Sequence, residues 1–135
     1  MNHKITANWE TLLNAARAVV KNAYAPYSKL KVGAAALFDD GAVITGVNVE
    51  NASFGLTICA ERTALASAIS QGNRRLRALA IASSAGVTLP PCCACRQVIA
   101  EFSDGDTIVA LDGAGGKVET YLISELLPLA FKFPV

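Results

Sequence analysis

The chain has 135 residues, 53% apolar and 17% charged, with 12 Lys and Arg against 11 Asp and Glu for a net charge of +1. That length suits one domain spanning 1–135, burying about two-thirds of its unfolded surface. The near-neutral balance, without any charge block, argues against nucleic acid or a membrane surface as a partner. In chain order, Leu12, Ala16, Val19, Val20 and Ala23 fall at helical spacing after an Asn8 cap, and Pro26 stops the run. Leu30 to Phe38 reads as a strand, Asp39-Asp40-Gly41 as a turn, and Val43 to Glu50 as the returning strand of a hairpin. In that second strand Ile44, Gly46, Asn48 and Glu50 share one face. Asn51 to Gly55 is loop. A helix follows from about Cys59, with Gly72 closing it, then a buried strand from Ala78 to Ser83 and a loop from Gly86 to Pro91. Helix signals resume at Cys92 or Cys93 and run to Phe102. Strands at Thr107–Leu111 and Lys117–Leu122 precede one helical turn at Ser124–Pro128. The order α, β, β, α, β, α, β, β predicts an α/β fold with a mixed five-stranded sheet covered by helices.

The N-terminal residues contain no apolar run of signal-peptide length, and no segment reaches the roughly 18 apolar residues of a bilayer span. The chain therefore reads as soluble and cytoplasmic, with reduced thiols. Its four cysteines are lopsided: Cys59 stands alone, while Cys92, Cys93 and Cys95 crowd together, which is no disulfide framework. Cys92 and Cys95 form a CxxC, which by itself serves either metal or redox chemistry. With Cys59 it offers three sulfur ligands, and an open zinc site keeps three protein ligands and a place for water. His3, the lone histidine, is the weak candidate for a fourth.

Spacing constrains the geometry. In mid-helix, Cys59 and Glu61 would point about 200° apart, so both reach one target only from a helix's first turn. The reading therefore puts the metal at a helix N-terminus, where the dipole and free N–H groups favour thiolates. Cys92 and Cys95 open the other helix in the same way. Arg62 and Arg96 each adjoin a ligand segment and are expected to donate hydrogen bonds to sulfur.

Cys59-Ala60-Glu61 followed by Pro91-Cys92-Cys93-Ala94-Cys95, with Cys92 31 residues after Glu61, is the zinc-deaminase pattern in its all-cysteine form. Adding Tyr27-Ser28, Val32-Gly33-Ala34-Ala35, the stretch from Thr45 to Ser53, Gly55 to Ala64, Cys95-Arg96-Gln97-Val98 and Leu126-Leu127-Pro128, the chain closely resembles the small cytidine deaminases of nucleoside salvage. The likeness covers roughly residues 10 to 131. It implies a three-layer α/β homotetramer with one Zn2+ per subunit, converting cytidine and deoxycytidine hydrolytically to uridine and deoxyuridine. It also implies that Asn48 and Glu50 hold the ribose, which agrees with their shared strand face, and that the Ala60 backbone meets the pyrimidine. The aromatic of the Leu-Leu-Pro tail, here Phe131, sits in the family over a neighbouring subunit's base, though core or interface packing is the alternative for it.

The chemistry fits these residues on its own terms. Breaking an exocyclic C–NH2 bond needs a nucleophile at C4 and protons for N3 and for ammonia. Zinc lowers the pKa of a bound water, and Glu61 shuttles the protons, best with a raised pKa. Three positions depart from the family. Leu30 stands where it usually has Phe beside the base, Phe54 where it usually has Tyr, and Cys93 where it usually has Gly. Cys93 is expected to be a small packing residue. Leu30 points to a wider pocket, tolerant of cytidines modified at N4 or C5. A structural zinc module without catalysis, a dithiol oxidoreductase and a deaminase of another cytosine-containing compound stay open as rivals.

Overall fold

The computed structural model describes residues 9–135, so the Asn8 cap and His3 lie outside the described residues. Helix α1 spans Trp9–Val19, and a single turn over Val20–Asn22 extends it toward the predicted stop. The hairpin is β1 (Val32–Phe38) and β2 (Val43–Val47). After it come α2 (Ala60–Ser70), β3 (Leu76–Ser83), α3 (Cys93–Glu101), β4 (Ile108–Asp112), β5 (Val118–Leu122) and the short α4 (Ile123–Leu126). The main departure is in β2, which ends at Val47. Val49 lies beyond it in two isolated bridges, to Tyr24 and to Ile58. Strand β3 begins two residues early because Leu76 is buried and Arg77 exposed, the alternation of a strand edge.

The sheet order is β2-β1-β3-β4-β5, mixed as expected, with only β3 and β4 parallel among its neighbours. Side-chain alternation divides two layers of core. On one face Ala35, Ala78, Ala80, Ala82 and Ala110 receive Leu12, Leu13 and Ala16 of α1. On the other, Ala34, Ala36, Phe38, Leu79, Ile81, Val109 and Leu111 pack against Ala64, Leu65 and Ala68 of α2, Ile99 of α3 and Ile123 of α4. Helices above and below the sheet make three layers. The five alanines on that face make the first layer thin: α1 lies so close that a Cβ on Gly33 would be 2.3 Å from the Ala16 carbonyl oxygen. Truncating the fully buried Leu13 or Leu65 to Ala is expected to cost about 2–5 kcal/mol.

Strand direction decides where the chemistry collects. Both β2 and β3 run antiparallel to β1, so they point the same way and end at the same edge of the sheet. Helix α2 follows β2 and α3 follows β3, which brings two helix N-termini to that edge. β1 begins there, between them. Val32 pairs with Ser83 and Gly33 with Val47.

Candidate active site

Cys59 is the N-cap of α2, in extended backbone, and Ala60 and Glu61 are the first two helical residues. Backbone hydrogen bonds in both directions between Val49 and Ile58, at 2.9 and 3.0 Å, fix the chain entering this cap. Cys92 is likewise the N-cap of α3, with Cys95 in its first turn. The Sγ atoms of Cys59, Cys92 and Cys95 lie within 4.8 Å of one another, and those of Cys59 and Cys92 are 3.8 Å apart. Tetrahedral arms of about 2.3 Å would set sulfurs about 3.8 Å apart, so the trio fits a zinc ion. It is the one such cluster among the described residues. Both helix dipoles aim their positive ends at it.

The sulfurs already share charge unequally. Hydrogen bonds, foremost from the Cys95 thiol and then from Arg62, pull the Cys59 thiol down to about 5, and burial opposes them. Cys95, as the proton donor of that pair and buried, is pushed up. The Arg62 guanidinium donates to Cys59 Sγ at 3.4 Å, as expected. Arg96 does not behave as expected. Its Nε donates to the Pro91 carbonyl and its Nη1 to that of Leu126, both at 2.8 Å, because its side chain crosses toward the tail. Arg96 therefore braces the loop before α3. Cys93 also departs from expectation: it is exposed, outside the thiol cluster. It is the first residue of α3.

A cavity of about 230 Å³ opens beside the trio. Its walls include Cys59, Cys92, Ala60, Glu61, Asn48, Glu50 and Leu30. Glu61 is 4% exposed, and burial pushes its carboxyl above the usual carboxylate range, with the Cys59 charge adding to the effect. Asn48 spends one side of its amide on β1's entry: Oδ1 accepts from the Val32 N–H and Nδ2 donates to the Leu30 carbonyl, both at 2.8 Å. One N–H and one lone pair remain. The Glu50 carboxylate accepts from the Tyr27 and Ser28 N–H groups at 2.9 and 3.1 Å and from the Ser28 hydroxyl, and these bonds hold its pKa low, the hydroxyl most of all. Ser28 was quoted in the sequence pattern without a role. The structure makes it the cradle of Glu50. Leu89 and Pro90, which complete one wall, carried no signal in the sequence.

Two expected substrate residues stand apart. Phe54 lines an adjoining depression that shares Ser28, Glu50 and Thr57 with the cavity, its ring edge-on to Tyr27 at 5.7 Å. Phe131 does not line its own chain's cavity; it is 69% exposed, and its carbonyl accepts from the Gln97 amide at 3.1 Å. A larger cleft of about 570 Å³, between Asp104 and the C-terminal tail, contains no cluster of metal-ligating groups.

The profile of the cytidine and deoxycytidylate deaminase zinc-binding region matches residues 6–111, which include all three clustered thiols and Glu61. The chain belongs to the cytidine and deoxycytidylate deaminase family. Among its relatives, a cytidine deaminase of Halalkalibacterium halodurans is 52% identical over 111 residues, 82% of this chain and 84% of that protein. One from Sporosarcina psychrophila is 44% identical over 122 residues, 90% of each. The crystal structure of cytidine deaminase from Burkholderia pseudomallei superposes with a TM-score of 0.87 at 45% identity, covering 93% of this chain and 100% of that one. The cofactor of this deaminase-family chain is zinc, one ion per chain, matching the three-thiol cluster among the described residues.

Proposed function

We propose that the chain hydrolytically deaminates cytidine and deoxycytidine to uridine and deoxyuridine, with Glu61 as the proton carrier. The observation that carries this reading is a carboxyl buried two residues beyond one thiol of the cluster, facing a cavity whose rim bears Asn48 and Glu50. Zinc held by Cys59, Cys92 and Cys95 would acidify a water toward neutral pH. Glu61 would take one proton from the attacking water and deliver it to N3, then take the proton of the new C4 hydroxyl and pass it to the departing amine. Cytidine and water become uridine and ammonia, and Glu61 ends as it began. Its raised pKa suits both halves of this task.

The remaining residues bind and orient. Asn48 and Glu50 face the sugar hydroxyls, and the Ala60 backbone meets the pyrimidine edge. Leu30 flanks the base, Phe54 bounds the sugar end, and Arg62 offsets the charge of three thiolates around a dication. Exposed Phe131, Phe133 and Leu129 on the tail supply the surface that a homotetramer covers, with Phe131 reaching a neighbour's site. Thiols kept reduced for metal fit the cytoplasm. The experiment is ammonia release from cytidine by wild type and by Glu61→Gln. The variant should keep zinc and fold while kcat falls at least roughly 10²–10⁴-fold. A variant working near the wild-type rate refutes the assignment.

A further inference from the structure

Gly46 sits where β2 passes under the first turn of α2. A Cβ there would lie 2.3 Å from the Ala64 amide nitrogen and 2.7 Å from both the Ala60 carbonyl oxygen and the Ala64 Cα. These are backbone atoms of the helix ladder, so no change of rotamer makes room. The helix side of the seam is equally lean: Ala60, Ala64 and Ala68, four residues apart, are fully buried. Even one methyl requires the start of α2 to rise by about 1 Å.

That rise would not be shared by the whole site. Cys59, Ala60 and Glu61 ride on α2. Cys92 and Cys95 ride on α3, which follows β3 and is braced by Arg96 to Pro91 and Leu126. Asn48 lies two residues beyond Gly46 and is fixed to Leu30 and Val32. Lifting α2 therefore parts one thiol from the other two and withdraws Glu61 from the cavity's opposite wall.

We propose that Gly46 is a positioning residue: by letting α2 rest on β2, it sets the distance from Cys59 to the Cys92–Cys95 pair and the depth of Glu61 in the cavity. The proposal rests on the zinc deaminase reading above. The fold supplies a matched control. A Cβ on Gly33 would lie 2.3 Å from the Ala16 carbonyl oxygen of α1, which carries none of the site residues. Gly46→Ala and Gly33→Ala thus force similar wedges under two different helices.

The test compares wild type with both variants by melting temperature, zinc dissociation constant from chelator competition, the thiolate-to-metal absorption of the Co2+-substituted protein, and kcat on cytidine. Both variants should melt lower. Only Gly46→Ala should also bind zinc about 10–100-fold more weakly, alter the Co2+ spectrum and lose about 10²-fold in kcat. Should Gly46→Ala fail to fold, Ala64→Ser adds a single heavy atom to the same seam and should weaken zinc binding at least about threefold. Zinc affinity and Co2+ spectrum unchanged in whichever of these folds, or the same losses in Gly33→Ala, would overturn the proposal. A wild-type chain that binds no zinc overturns the deaminase reading itself and this proposal with it, whereas wild type with tight zinc and an unaffected Gly46→Ala overturns the proposal alone.

Discussion

Leu30 offers the most direct handle on substrate choice. It is half-buried on the cavity's apolar wall with Val32, Ile81, Leu89 and Pro90. Replacing it by Phe adds about 25 Å³, a little under one water's share of liquid volume, to a cavity of about 230 Å³. The new ring gains stacking on the pyrimidine worth about 0.5–1.5 kcal/mol, so plain cytidine should bind about 2- to 12-fold more tightly. The same ring occupies space beside the base. For N4-methylcytidine the crowding of a filled pocket, about 1–3 kcal/mol, should lower kcat/KM by about 5- to 160-fold. Asn48 and Glu50 are untouched, so affinity for the sugar portion should not move. The assay is kcat/KM on both nucleosides for wild type and Leu30→Phe, followed by uridine formation, the product common to loss of ammonia and of methylamine. An identical ratio in the two proteins would show that Leu30 does not set the pocket's width.

The pH profile tests Glu61. It must be ionised to accept the first proton, and burial raises its pKa above the ordinary 4.5, so kcat/KM should fall on the acid side through a midpoint above that value; a midpoint at or below 4.5 contradicts the burial argument. Ser28→Ala removes the hydroxyl that does most to hold Glu50 in its charged form. KM for cytidine should rise about 2- to 10-fold with kcat little changed, and an unaltered KM would end Ser28's part in binding. Phe131→Ala should raise KM without altering zinc content, while sedimentation of wild type should give a species about four times 14.1 kDa; a monomer at micromolar concentration defeats the shared-site idea.

Much of this was legible in the chain because it is local. Every strand and helix of the sheet was visible from periodicity and turn residues, and the first-turn constraint was sufficient to put Cys59 and Glu61 at the start of a helix. What failed depended on distant partners. Arg96 reads as a donor to sulfur by proximity to Cys95, yet its partner, the Leu126 carbonyl, lies 30 residues away. Cys93 stands where the family usually has Gly and reads as a small packing residue, but as the first residue of α3 it is exposed. Gly46 was assigned only to a strand face. That it touches the α2 backbone becomes evident only with the helix in place.

The grip of α3 on the tail has a practical side. Arg96 holds the carbonyl of Leu126 and Gln97 that of Phe131, so neighbouring residues of α3 anchor the last stretch of chain at two points. A protein shortened just after Leu127 would keep the first anchor and lose the second, leaving its sheet and thiol cluster intact. An affinity tag fused to Val135 would hang from the second anchor, four residues past Phe131.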